Sequence, residues 1–173
     1  MDWRLRRAGE GDAPALALVA AATFLETFAG VLAGPHIVEH CAEQSSPAKF
    51  AWWARDPASR LFLAEHPDGG APVGYTLLTT PHLPIETTPG DVELKRIYTL
   101  DLTRGTGLGA RLMAQALTDA AAMSRSRVLL GVYSGNARAR AFYERQGFTV
   151  TGTRRFNVGQ GWYDDLIYAR TVD

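Results

Sequence analysis

Residues 91–113 read DVELKRIYTLDLTRGTGLGARLM, and the fold turns on how this stretch is understood. It spells a strand that stops at a glycine-rich turn and passes directly into a helix. Gly105, Gly107 and Gly109 lack Cβ atoms, so several backbone N–H groups can converge on one ligand. The helix that begins there adds the partial positive charge of its dipole. Such a turn suits phosphate. Arg104, at its opening, is a fixed cation for the same oxygen-rich ligand.

Three phosphate turns must be told apart from one another, and from a turn that glycine merely shapes. A Walker A loop requires Lys–Ser/Thr after its last glycine, whereas Gly109 is followed by Ala110 and Arg111. A dinucleotide fingerprint, G-x-G-x-x-A, is met by Gly105, Gly107 and Ala110, but it requires an acidic residue closing the next strand. That strand, Val128-Leu129-Leu130-Gly131-Val132, runs into Tyr133 and Ser134. The third form is Arg-x-x-Gly-x-Gly, at Arg104, Gly107 and Gly109.

Outward from the turn, apolar parity shifts between Leu94 and Ile97, as a β-bulge would produce. The helix buries Leu108, Leu112, Met113, Ala116, Leu117 and Ala120 on one face. A strand at 127–132 leads to Asn136, a good N-cap, and to a helix with Ala139, Phe142, Tyr143 and Gln146 on one side. Gly147 ends it. Strands at 148–156 and 162–170 close the chain around a turn at residues 159–161. Upstream, a short strand at Trp3 and Leu5 precedes a helix capped by Gly11-Asp12 and running to Ala22. Thr23 to Glu26 fits a capping box that restarts or bends this helix. Gly30, Gly34 and Pro35 end it; helical patches follow at 37–43 and from Ser46-Pro47. Strands at 60–65 and 73–79 flank Pro67-Asp68-Gly69-Gly70, a hairpin turn by composition. The order is β-α-α-β-β-β-α-β-α-β-β, one mixed α/β domain over 1–173.

Composition bounds the function without naming it. Hydrophobic content of 46% and charged content of 21% are those of a soluble globular protein. Lys+Arg and Asp+Glu balance at 18 each, which leaves no global field for nucleic acid or an anionic membrane. A single cysteine, Cys41, forms no internal disulfide and fits a reducing cytoplasm. The N-terminus lacks the apolar core of a signal peptide, and no apolar run approaches membrane-spanning length.

After the strand at 127–132 comes Asn136-x-x-Ala139-x-x-Phe142-Tyr143-x-x-x-Gly147-Phe148. With the turn at Arg104, Gly107 and Gly109, this resembles the GCN5-related N-acetyltransferase (GNAT) family over roughly 92–148. The phrases Glu93-Leu94-Lys95-Arg96-Ile97-Tyr98 and Thr23-Phe24-x-Glu26-Thr27-Phe28 are similar to its PaiA-like, polyamine-acetylating branch. The resemblance implies a central twisted, mostly antiparallel sheet of about seven strands with a splayed strand pair, and about four helices. It implies acetyl-CoA as acyl donor, no metal, and direct transfer to a primary amine in a ternary complex. Homodimers are common in the family, and the sequence gives no direct sign of one.

Carried onto this chain, the resemblance assigns Ile97, Tyr98 and Thr99 to the pantetheine arm. It assigns Arg104, Gly105, Thr106, Gly107, Leu108 and Gly109 to the pyrophosphate. The family's proline before the turn is replaced here by Asp101-Leu102-Thr103. Asn136 caps its helix and touches the CoA arm. Tyr143 protonates the departing thiolate, a task suited to a phenol that keeps its proton at neutral pH. Because an alkylamine is almost all ammonium near neutral pH, the reaction also needs a proton acceptor. Glu93, eleven residues before Arg104, matches the catalytic glutamate of the family's histone-acetylating branch. It stands as base, directly or through water, or as the ion-pair partner of Lys95. Arg138 and Arg140 fit either the adenosine 3′-phosphate or a solvated helix face. Glu26 fits the amine pocket or its capping box. His36 and His40 have the i, i+4 spacing of metal ligands but lack a third, so a solvated face is expected. Trp52 and Trp53 cover the core. Cys41 is far from the motifs, which leaves a thiol nucleophile unsupported.

The acceptor expected is a small, polyamine-like amine. A protein N-terminus or lysine is the alternative; a CoA-binding sensor without catalysis and a dinucleotide-dependent oxidoreductase are the rivals from other classes.

Overall fold

The computed structural model describes residues 2–158 and 161–172. Its chain runs β1 (Arg4–Arg7), α1 (Ala13–Phe28), α2 (Gly34–Gln44), α3 (Pro47–Arg55), β2 (Arg60–Glu65), β3 (Pro72–Thr79), β4 (Asp91–Thr99), α4 (Leu108–Ala122), β5 (Arg127–Tyr133), α5 (Ala137–Arg145), β6 (Thr149–Val158) and β7 (Gly161–Thr171). The seven strands form one open sheet in the order β1-β2-β3-β4-β5-β7-β6. Every pairing is antiparallel except β4 with β5, which is parallel. This is the mixed α/β architecture expected. Gly159 and Gln160, the heart of the expected last turn, lie outside the described residues.

Strand alternation sends β2 and β3 side chains to two cores. Leu61, Leu63, Tyr75 and Leu77 meet α1 and α3 through Leu16, Ala20, Phe50 and Trp53. Ala64 and Leu78 join the other face, under α4, and a register shift that leaves Val73 unpaired between Pro72 and Gly74 sends its side chain there too. The expected bulge is present in β4: Leu77 pairs with Arg96 but Leu78 with Leu94, so Lys95 is supernumerary. Leu94 and Ile97, three residues apart, would face opposite sides of a regular strand. The bulge returns both to the core beneath α4.

The β4–β5 pairing covers only Asp91, Val92 and Glu93 against Arg127, Val128 and Leu129. Beyond Glu93 the two strands splay, while β5 continues to Tyr133 paired with β7 alone. A wedge therefore opens in the middle of the sheet.

The first half departs from its sequence pattern. The three helical stretches read before β2 are all present, one more than the element order counted, giving five α-helices in all among the described residues. Thr23 does not open a capping box. Its hydroxyl donates back to the Val19 and Ala20 carbonyls, and α1 runs unbroken to Phe28. Gly34 and Pro35 form the first turn of α2 rather than the end of α1, where proline's missing N–H is harmless. Residues Glu10–Phe28 are long and apolar enough, by length and composition alone, to cross a membrane. In the fold Leu16, Ala17, Val19 and Ala20 are buried against the sheet.

Candidate functional site

The wedge between β4 and β5 opens into a cavity of about 1230 Å³. Its lining brings together Glu93, Ile97, Tyr98, Thr99, Arg104, Gly105, Gly107, Leu108, Gly109, Asn136 and Tyr143, residues spread over fifty positions of sequence. Thr106 is absent from the lining. Its hydroxyl donates to the Thr103 carbonyl and accepts from the Trp3 indole, fastening the turn to the first strand.

One end of the cavity is a nest of backbone donors. Gly105 and Gly107 have φ of +76° and +80°, a left-handed conformation natural only to glycine. Gly107 is the N-cap of α4 and offers no side chain to the first turn, whereas Ser46 and Asn136 cap α3 and α5. The first intrahelical bond reaches from Arg111 N–H to the Gly107 carbonyl. Helix geometry thus leaves the amides of Leu108, Gly109 and Ala110 without an intrahelical acceptor at the cavity wall. Alongside, Arg104 and Arg138 both approach Asp101 Oδ1, at 2.6 and 3.4 Å. Arg104 holds the Asp101 carboxyl below the usual range. Asp101 stands in the Asp-Leu-Thr segment that replaces the family's proline, and its backbone N–H donates to Glu26 Oε2 at 3.0 Å. Glu26 therefore clips α1 to the turn instead of capping a helix. Arg140 binds the Ser134 carbonyl and the Tyr168 hydroxyl and is not part of the lining.

Along the cavity's length, the β4 backbone from Leu94 to Thr99 has no partner strand on its β5 side. An uncapped helix N-terminus beside an unpaired strand edge matches a ligand with phosphates at one end and an amide-bearing arm. The residues present fit CoA on that ground.

At the centre, Tyr143 packs its ring against Phe142, Phe148 and Tyr168. Burial, helped by Tyr98, pushes its hydroxyl well above the ordinary phenol range, so it stays protonated at any physiological pH. Glu93 is 2% exposed. Its Oε2 accepts the His82 N–H at 2.8 Å and its Oε1 lies 4.0 Å from Lys95 Nζ, so the anticipated ion pair is present. Burial pushes the Lys95 ammonium down. Asn136 Oδ1 accepts the Ala139 N–H at 3.0 Å while lining the cavity.

The opposite wall comes from α1, α2 and the last two strands, and the sequence had marked little of it. Glu39 and Glu43, one turn apart on α2, are exposed at the rim. Neither takes part in an ion pair among the described residues. His40 is not on a solvated face: it stacks on Phe24 with centroids 4.2 Å apart. Burial, then Arg96, pushes its pKa down to about 4. Arg96 is buried over the Phe50 and Trp53 rings and binds Ser45 Oγ and the Gln44 carbonyl. Trp53 belongs to the core, while Trp52 is 56% exposed beneath Lys49. Among the described residues no group of three or more His, Cys, Asp or Glu side chains could hold a metal ion.

Comparison with known proteins agrees with this geometry. The Acetyltransferase (GNAT) family matches residues 26–148. An uncharacterized N-acetyltransferase of Mycobacterium tuberculosis is 38% identical over 161 residues, 93% of this chain and 98% of its own; one from Mycobacterium bovis matches equally. The PaiA N-acetyltransferase of Thermoplasma acidophilum, solved in complex with coenzyme A, superposes with a TM-score of 0.80 at 19% identity, covering 99% of each chain. The ribosomal-protein-S18-alanine N-acetyltransferase of Escherichia coli superposes with a TM-score of 0.71 at 17% identity, over 99% of this chain and 94% of its own. At these identities the two structures share the fold.

Proposed function

The chain belongs to the acetyltransferase (GNAT) family and is an acetyl-CoA-dependent N-acetyltransferase, and from that premise we propose that its single domain acetylates a primary amine of a small, polyamine-like molecule in a ternary complex. One observation carries this reading: a protonated tyrosine, a buried glutamate and the unpaired β4 edge line one cavity, with two glutamates at its rim that join no ion pair among the described residues. Acetyl-CoA supplies the thioester.

The amides of Leu108, Gly109 and Ala110 receive the pyrophosphate oxygens, and Arg104 adds charge once released from Asp101. The β4 backbone at Ile97, Tyr98 and Thr99 holds the pantetheine arm by hydrogen bonds that a neighbouring strand would otherwise make. Asn136 orients the arm while capping α5. Tyr143 donates its proton to the departing thiolate. Glu93 takes the proton the amine must lose, directly or through a water; His82 and Lys95 hold its carboxylate in place meanwhile.

The polyamine preference rests on Glu39 and Glu43, which offer a cationic acceptor two uncompensated charges at the rim, and on the likeness to a PaiA enzyme. The lone thiol of Cys41 suits a reducing, cytoplasmic setting.

Calorimetric titration with acetyl-CoA, with NADH as control, tests the donor site, and a panel of amines beginning with spermidine tests the acceptor. Acetyl-CoA binding and spermidine turnover are expected. Binding of NADH alone would remove the reading.

A further inference from the structure

The cavity contains a second buried carboxylate, one to which the mechanism above gives no role. Asp165 stands on β7 between Tyr133 of β5 and Arg154 of β6. It is 4% exposed and lines the cavity. Arg154 Nε donates to its Oδ2 at 3.0 Å; among the described residues Oδ1 receives no side-chain hydrogen bond.

This pair is built at some expense to the sheet. The Arg154 side chain crosses β7 and lays its guanidinium on β5 at Gly131, where a Cβ would come within 2.7 Å of it. A glycine inside a buried strand weakens that strand, and a close approach is the usual reason for one.

Comparison with Asp91 shows what Asp165 lacks. Asp91, as little exposed but less deeply set, is gripped by Arg127 through both oxygens, at 2.7 and 2.8 Å, and its carboxyl is held below the usual range. Asp165 has a one-point contact, and burial pushes its carboxyl up despite Arg154. A buried carboxylate so incompletely compensated gains most from a further cation. Its position is apt. Asp165 lines the cavity together with Tyr98 and Tyr143, and Tyr98 feels its charge. Glu93, by contrast, already has its two oxygens facing His82 and Lys95.

We propose that Asp165, held by Arg154 over Gly131, is the carboxylate that docks the acceptor's ammonium. Docking is an ion pair and makes no covalent bond. The assignment rests on the amine-acetylating reading above and names the residue that would recognise the amine.

The test compares wild type with Asp165→Asn, using spermidine as probe, by calorimetry on the CoA-loaded enzyme and by steady-state kinetics. Acetyl-CoA affinity, unchanged, reports an intact fold. Asp165→Asn is expected to weaken spermidine binding and raise its KM about 30-fold or more, with kcat within about threefold, the scale set by removing one member of a buried charge pair. Wild-type affinity should fall on acidification as Asp165 protonates. Arg154 from β6, Tyr98 from β4, Tyr133 from β5 and Asp164 on its own strand surround it, and Glu93 and Lys95 share the cavity. All of these remain in the variant, so the difference between the two pH profiles isolates Asp165. Wild-type KM in Asp165→Asn, or a loss equal at every pH, would overturn the docking role and leave the acetyltransferase reading standing. If wild type neither binds nor acetylates any amine of the panel, the acceptor reading falls and the docking role with it.

Discussion

Asp91 and Arg127 are joined by two parallel hydrogen bonds, Nε to Oδ1 at 2.7 Å and a terminal nitrogen to Oδ2 at 2.8 Å, at the point where β4 and β5 run side by side. Beyond that point the strands part. The pair closes the wedge at its base, and the wedge is the cavity.

Asp91→Asn should therefore destabilise the fold by about 1–3 kcal/mol, because a charge-assisted bidentate contact becomes a weaker one. Urea denaturation would measure it. Arg127 holds the Asp91 carboxyl below the usual range, so the pair's contribution is complete above that range and is lost as pH falls through the depressed value. The variant should lack this acid-side loss; an identical acid profile would separate the pair from the stability of the wedge.

Tyr143→Phe keeps the ring contacts with Phe142 and Phe148 and removes only the hydroxyl. We expect kcat to fall about 10- to 100-fold with acetyl-CoA affinity barely changed. Unchanged kcat, with chemistry shown to limit the rate, would remove the acid role.

The glycines of the turn are not equivalent. At Gly107 a Cβ would meet no protein atom within 4 Å, but φ is +80°, so Gly107→Val is opposed by backbone strain rather than crowding. It should lose at least tenfold in acetyl-CoA affinity as the N-terminus of α4 is rearranged. At Gly109 a Cβ would rest 3.7 Å from the Phe142 ring, an ordinary contact. Gly109→Ala should bind acetyl-CoA within about threefold of wild type. Calorimetry on both proteins checks the contrast.

His40 is held neutral to about pH 4, against an ordinary value of 6.5. Between those values the unfolded chain takes up a proton that the folded one refuses, so stability should fall as pH is lowered from 6.5 toward 4. His40→Phe, which preserves the stack on Phe24, should flatten this part of a Tm-against-pH curve. A curve of unchanged slope would mean that His40 titrates normally.

Local signals in the sequence were reliable where the fold is locally determined. The parity shift between Leu94 and Ile97 is a bulge because both residues serve one core. Asn136 and Gly147 act as cap and terminator because each satisfies its own helix end. The Thr23–Glu26 pattern misled because a helix already running does not need a cap. Its threonine turned to the preceding carbonyls and its glutamate to Asp101, seventy-five residues away. The same limit hid Asp165, Arg154, Glu39 and Glu43. Nothing near Asp165 in sequence announces Arg154 or Gly131; their meeting depends on β7 lying between β5 and β6.

That insertion also sets an order of assembly. Residues up to Phe148 already contain the turn, the wedge and Tyr143, whereas β6 touches the sheet only through β7, which is made after it. Until β7 is made, β6 has no partner in the sheet and β5 is held only by its three-residue pairing with β4, so both sides of the wedge wait for the last strand. The strand that carries Asp165 is thus also the strand that closes the sheet around the site, so a chain shortened within β7 should lose its grip on cofactor and amine together.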